Sequence, residues 1–409
     1  MIETKTKICY VFFAMSLFSA AIFTIPLGGF QLSIFRFLIF VLFLLELVDL
    51  RREKEVMNRY DLLMFFWLMY AIVSFGWVSD MGNWGKSVFF LSVAFLSTRW
   101  FHLFFNTTQK IVNACKAFSC GILFHNFIGW YEIATRNYHW VSEKYLIQLT
   151  YSQTPVPVSV FYNPNDFATV LSFGIFALFV AHRYSNHRSV KILWALTLIS
   201  SFILLVLTQS RANLIGVLLG ISFMVMVKFG LSYKKIVISL FLLMSFAFAL
   251  LFTDFGTYVS NFIDIYLNFD MENGSEQQRS ILLKNAFCVF VNSYGLGTGA
   301  GNLSFRMLTD GCFSIEAGSV HNWWVEILVT YGIVIFLWYV LNYIMILKKF
   351  FLKAKESYLA SNMFAFLICF VIGCISSSSC LSNEPLWCAF ALVYACASID
   401  LNSKWEKTH

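Results

Sequence analysis

Apolar runs about as long as a bilayer is thick recur from one end of this chain to the other. A hydrocarbon core is crossed by roughly 20 helical residues. Runs of about that length stand at 8–28, 31–49, 61–78, 87–105, 111–133, 166–182, 191–208, 212–230, 236–253, 322–346, 357–376 and 386–399. A backbone in lipid has no water to bond to, so each run must satisfy its own amides, which a helix does. The expected fold is an all-α polytopic membrane protein of about twelve transmembrane helices. Composition agrees: 59% of residues are hydrophobic and 12% charged, against about 25% charged in soluble domains.

The formal charge of +7 invites a nucleic-acid reading, and its placement argues against one. With a cytoplasmic N-terminus, the inward loops hold Arg51, Arg52, Lys54 and Arg59, then Lys110, then Arg183, Arg188 and Lys191. Lys228, Lys234 and Lys235 follow, then Lys348, Lys349, Lys353 and Lys355, and finally Lys404 and Lys407. The outward segments carry only Lys86, Arg136, Lys144, Arg211, Arg279, Lys284 and Arg306. The excess is therefore a topology signal: both termini are expected in the cytoplasm and the protein is expected to take the lipid bilayer, not nucleic acid, as partner. The first run, behind Lys5 and Lys7, has the look of a signal peptide, but a second run follows at once, as in an uncleaved anchor.

One long interval, 254–321, suits no spanning helix, because Asp270, Glu272, Asn273, Glu276, Arg279, Lys284 and Asp310 interrupt it. The chain thus divides into helices 1–9 over residues 1–253, an outward loop over 254–321, and helices 10–12 with a cytoplasmic tail over 322–409. Chemistry is expected on that loop and at the helix mouths beside it. Of the ten cysteines, most lie in or beside apolar runs and act as small hydrophobes. Cys288 and Cys312 both fall in the loop and could pair if that side is oxidising. No CxxC or His-rich tract points to a metal, and no cofactor is expected.

Several polar residues at outward positions invite a chemical reading, each with a plainer alternative. Arg211 ends the tight turn Thr208-Gln209-Ser210-Arg211: a guanidinium there can grip phosphate with two parallel donors, or snorkel to lipid headgroups. Arg279 follows Ser275 and Gln278, which have the spacing of a capping box. A cation in the first turns of a helix opposes the dipole, which makes more sense if an anion also binds; a plain surface arginine is the alternative. The glycines of Gly295-Leu296-Gly297-Thr298-Gly299-Ala300-Gly301 lack the dinucleotide spacing. Gly297 and Gly299 either offer amides to a phosphate or form a turn between surface helices. His321 stands before Asn322, Trp323, Trp324 and Glu326 at the mouth of an inward helix. It can take a proton from a sugar hydroxyl near neutral pH, or simply lie beside an interfacial Trp belt. In Asn163-Pro164-Asn165-Asp166, Asn165 or Asp166 can cap a helix.

Together these pieces resemble the O-antigen ligase and polysaccharide polymerase superfamily over roughly residues 160–340. The Thr-Gln-Ser-Arg turn at Arg211, the Arg279 helix leading to the glycine run, and Val320-His321-Asn322 with Glu326 and Gly332 carry the resemblance. It implies a GT-C-like glycosyltransferase in the bacterial cytoplasmic membrane, with its active site facing outward. The implied reaction is inverting and metal-independent, from an undecaprenyl-diphosphate-linked glycan. Arg211 and Arg279 would bind the diphosphate and His321 would act as base, with Asn165, Asn322, Glu326, Gly297 and Gly299 in support. The Asn163–Asp166 turn looks more like the polymerase branch, whose acceptor is another lipid-linked glycan; a ligase would use lipid A-core. A lipid-linked oligosaccharide flippase is the competing class, although such a transporter places its charges in a central cavity between two halves. A structural scaffold is the third.

Overall fold

The protein's structure, a computed structural model, describes residues 2–18, 25–27, 30–48, 56–141, 146–147, 149, 155–161, 163–230, 275–314, 319–375 and 380–401. Helices account for nearly all of it. In chain order they are α1 (Ile2–Ser16), α2 (Ile34–Val48), α3 (Arg59–Val73), α4 (Met81–Phe104), α5 (Thr108–Thr135), α6 (Pro164–Arg183), α7 (Arg188–Leu207) and α8 (Arg211–Phe229). Beyond the undescribed stretch come α9 (Ser275–Asn292), α10 (Leu303–Thr309), α11 (Trp323–Lys353), α12 (Tyr358–Gly373) and α13 (Glu384–Ser398). Among the described residues, six helices are long and apolar enough to cross a membrane, namely α4, α5, α6, α7, α8 and α11. Shorter apolar helices include α12, α13 and most of α2. The chain is a multi-pass membrane protein; the run expected at 236–253, and loop residues 254–274, lie outside the described residues.

The first apolar run departs from expectation at both ends. Its helix begins at Ile2, because the charges before it are absorbed locally: Lys7 pairs with Glu3 at 2.9 Å and the buried Lys5 donates to the Leu45 carbonyl at 3.0 Å. The run does not continue as a helix to residue 28. A short antiparallel hairpin, β1 (Ile25–Leu27) against β2 (Phe30–Leu32), begins in its last part and ends beyond it, and Pro26 has no amide for a helix.

Helix starts are set by side-chain caps that satisfy the orphan amides of each first turn. Asn58 caps α3, Asp80 α4, Thr107 α5, Asn163 α6, Asn322 α11, Ser357 α12 and Asn383 α13. At the α3 end of the bundle, buried Asp61 completes the Asn58 capping box and takes Arg99 at 3.2 Å and His102 at 3.0 Å. Two helices fill the centre, α6 and α13, buried along nearly their whole lengths. Trp67, Trp323 and Trp387 meet there, with ring centroids 5.0 Å apart for Trp323–Trp387 and 5.5 Å for Trp67–Trp387. Trp323 is therefore a core residue and not part of an interfacial belt, and its indole donates to the Tyr339 hydroxyl at 3.0 Å.

Small residues let α8 and α12 approach backbone to backbone. A Cβ at Gly216 would lie 2.6 Å from the Cys369 carbonyl, and one at Gly220 would lie 2.6 Å from that of Ala365. This Gly-x-x-x-Gly seam is how helices gain packing in lipid, where burying apolar surface gives no hydrophobic advantage. It fixes the end of α12 against the start of α8.

Candidate active site

Arg211 is the first residue of α8, exposed at the helix mouth. The turn before it is tightened by Gln209 in the left-handed region at φ 58°. Two residues on, buried Asn213 anchors the turn: it donates to Ser210 Oγ at 3.0 Å and Thr169 Oγ1 at 3.3 Å, and accepts from Ser172 Oγ at 3.2 Å. Those last two partners belong to α6, so the Arg211 turn and the Asn163–Asp166 turn share one end of the bundle. Asn163, not Asn165 or Asp166, is the cap of α6, receiving the Asp166 amide at 2.9 Å and donating to its carboxylate at 2.6 Å. Asn165 lies half-buried in the first turn, its carbonyl accepting from Thr169 Oγ1 at 2.9 Å.

His321 reaches the same end from another direction. Its backbone is left-handed, φ 51°, a conformation costing a non-glycine residue on the order of 1–3 kcal/mol and held by surrounding structure. The surrounding bonds are evident. Asn322 caps α11, accepting from the amides of Trp324 at 3.1 Å and Val325 at 3.2 Å, and the Trp323 amide donates to the Cys374 carbonyl at 3.3 Å. Half-buried His321 keeps its Nδ1 shielded from solvent, as is the Oε2 of Glu326 in the first turn of α11. The end of α12 thus links the two segments: Asn213 Oδ1 lies where a Cβ on Gly373 would be, 2.6 Å away, and Cys374 holds the His321 turn.

Arg279 stands half-buried near the start of α9. This helix packs along the first half of α11, in a cluster joining Leu282, Leu283, Ala286 and Val289 to Val320, Val325 and Val329. Val320 adjoins His321, so the Arg279 end of α9 lies toward the His321 turn. Side chains 275–278 lie outside the described residues, and with them the expected Ser275–Gln278 capping box. A disulfide joins Cys288 of α9 to Cys312, and Asn285 clamps Phe313 through two 2.7 Å bonds, one to its amide and one to its carbonyl.

The glycine run does not offer its amides outward. Gly297 donates to Ser293 Oγ at 3.1 Å, Thr298 to the Val329 carbonyl at 2.8 Å and Gly299 to that of Thr330 at 3.0 Å. The carbonyl of Gly295 in turn receives the Ile333 amide at 3.0 Å. These residues strap onto a break in α11 at Gly332, where the backbone turns to φ 77°, ψ 174°. Gly297 is glycine because a Cβ would sit 2.6 Å from the Gly332 nitrogen. Both amides thus find partners within the protein, Gly297 at Ser293 and Gly299 at Thr330.

A cavity of about 290 Å³ opens beside the His321 turn. Its walls include Asn83 and Lys86 of α4, Gly301 of the strap, Ser319, Ser382, and Glu326 of α11. The α4 side escaped sequence reasoning, because nothing near Lys86 marks it as more than an outward lysine. Behind the cavity wall, Arg36 lies over the rings of Phe89 at 5.4 Å and Phe90 at 6.0 Å and pairs with buried Glu384 at 3.1 Å.

The family model described as O-antigen ligase matches residues 195–340, an interval holding Arg211, Arg279, His321, Glu326 and Gly332. The chain is also similar to the teichuronic acid biosynthesis protein TuaE of Bacillus subtilis, 27% identical over 418 residues, covering 97% of this chain and 85% of that one. The chain is thus similar to proteins of the O-antigen ligase and polymerase type. No solved structure matches it. In this chain the Asn213–Gly373 and Trp323–Cys374 contacts supply a physical reason why two turns far apart in sequence end near one another.

Proposed function

We propose that this protein extends a surface polysaccharide by joining lipid-diphosphate-linked repeats on the outer face of the cytoplasmic membrane. The observation carrying this reading is the convergence of the Arg211 and His321 turns on the end of α12, with the Arg279 helix packed beside Val320. The reaction is an inverting glycosyl transfer that needs no metal. An imidazole nitrogen of His321 takes the proton of the acceptor hydroxyl as its oxygen bonds to the anomeric carbon of the donor sugar. The bond from that carbon to the diphosphate breaks, and the leaving group departs with the electron pair. Arg211 and Arg279 hold the growing negative charge, as fixed cations do best in a low-dielectric site. The donor is an undecaprenyl-diphosphate-linked glycan and the acceptor a second such glycan. In support stand the resemblance of the Asn163–Asp166 turn to polymerases and the relative named for teichuronic acid biosynthesis. The family description favours a second reading, ligation of the finished glycan to lipid A-core.

An outward-facing site is supported by two independent features. Basic residues gather at the opposite helix ends, with Arg183, Arg188, Lys348, Lys349 and Lys353 all at termini remote from His321. The Cys288–Cys312 disulfide suits an oxidising compartment. Both termini are then cytoplasmic.

His321→Ala is the decisive variant. General-base work contributes about 10²–10⁴ in rate, so the variant should accumulate in the membrane normally while glycan extension stops. Lipid-linked single repeats should collect, accessible from outside to an impermeant glycosidase. Protection of that intermediate from the reagent would overturn the transferase reading in favour of a flippase. Full-length polymer lacking only its attachment to lipid A-core would instead assign the ligase reaction. Arg211→Lys keeps charge and loses the planar fork, and should lower activity at unchanged protein level.

A further inference from the structure

The cavity beside His321 has no role in holding the donor diphosphate, and its position and chemistry assign it one. Contacts of the Arg211 turn are to α6 and to Gly373. The cavity is walled by none of these residues, but by Ser319, two residues before the histidine, Glu326, five residues after it, and α4. An open chamber thus adjoins the turn that carries His321. At about 290 Å³, that chamber is at the lower end of small-ligand sites, which run from roughly 300 Å³ upward. Its lining combines hydroxyl, amide and charged side chains with the aromatic residues Tyr331 and Phe90, a mixture that suits a sugar ring with polar edges and an apolar face.

Resting on the polymerase reading above, we propose that this cavity is the acceptor subsite and that it takes a sugar bearing an anionic group, read by Lys86. Among the described residues that line the cavity, Lys86 supplies the cation and Glu326, on the facing helix, the carboxylate. Lys86 is exposed and held on its helix by a chain of polar contacts. Its Nζ donates to Asn83 Oδ1 at 3.4 Å, and Asn83 donates to Asp80 Oδ2 at 2.7 Å. An anionic substituent is drawn to Lys86 and repelled by Glu326, so the sugar enters in one orientation. Its opposite edge, carrying the hydroxyl to be glycosylated, then faces Glu326 and the His321 turn. The floor is stiffened from behind, where Arg36 lies on the Phe90 ring and is neutralised by Glu384.

Binding can be measured without turnover. The full-length protein in lipid nanodiscs is titrated with methyl β-D-glucuronide and with methyl β-D-glucoside, followed by saturation-transfer NMR. Wild type should prefer the glucuronide by up to about fivefold, the range of an exposed charge pair. Lys86→Gln, at an exposed position, should lose the preference and bind the glucuronide no better than the glucoside, because Glu326 still repels the carboxylate, and Ser304→Trp, placing a ring in the cavity wall, should weaken both. Equal binding in wild type, no binding of either glycoside, or a preference that survives Lys86→Gln each overturns the proposal. A preference that stands while His321→Ala still builds polymer separates the two readings: the subsite survives and the polymerase assignment does not.

Discussion

Replacing Gly332 by alanine tests whether the break in α11 is an obligate docking joint. The backbone there, φ 77° and ψ 174°, lies in a region open only to glycine, and a side chain in it costs on the order of 1–3 kcal/mol. The added Cβ also meets backbone it cannot push aside by a rotamer change: the Leu296 carbonyl oxygen at 2.3 Å, its carbon at 2.7 Å and the Gly295 oxygen at 2.8 Å. The strap must retreat, and three bonds open with it, Thr298 to Val329, Gly299 to Thr330 and Ile333 to Gly295. At about 1 kcal/mol net for each bond, the total loss is about 4–6 kcal/mol. The measurement is the folded fraction remaining after graded heating in detergent, by size-exclusion fluorescence. Gly85→Ala is the control, since nothing lies within 4 Å of a Cβ there and alanine gains up to about 1 kcal/mol in a helix. Gly332→Ala should melt far below wild type and lose glycan extension, because Gly301 of the same strap walls the cavity. A Gly332→Ala protein that melts with the wild type would show that the strap is not held by this joint.

Three further outcomes are expected. Glu384→Gln leaves Arg36 charged in a buried place, with the pair only 10% and 2% exposed, and should destabilise by about 3–5 kcal/mol; Glu356→Gln, from the exposed pair with Lys353, should change stability by no more than about 1 kcal/mol, and comparable melting of the two refutes the distinction. Opening the Cys288–Cys312 loop, a separation of 24 residues, by Cys312→Ser should cost about 3 kcal/mol, read as earlier loss of fold on heating, with no loss if the link is dispensable. Cysteine at exposed Ser304 should react with an impermeant maleimide in intact cells, whereas one at Lys353 should not; labelling at Lys353 alone reverses the orientation.

The membrane architecture was legible because each run carries its own signal: length and apolarity are local properties, and helices α4 to α8 and α11 stand close to where the runs placed them. What escaped was non-local. Arg36 reads as an arginine in an apolar run, and its partner lies 348 residues further on, a distance over which no periodicity speaks. Lys86 likewise gains meaning only from the facing Glu326. In the glycine run, composition left two readings open, and the carbonyls at the Gly332 break that receive the Thr298 and Gly299 amides are a feature that sequence does not display. Trp323 looked interfacial by its place at a helix mouth, yet Trp67 and Trp387 enclose it. At the Asn163–Asp166 turn the cap fell on Asn163, because Pro164 suits the first helical position and so sets the frame two or three residues earlier than expected.

The Arg36–Glu384 pair also bears on how the chain is assembled. Arg36 leaves the ribosome 348 residues before Glu384, and at about 5–20 residues per second the wait is on the order of tens of seconds. During that time α2 carries a cation into the membrane with its counter-charge not yet made. Its long stem lets the guanidinium reach toward the headgroup level until α13 arrives. Closing this one contact ties the second helix of the chain to the last described one. A chain that stops before α13 therefore lacks the contact that joins its second helix to the last described one.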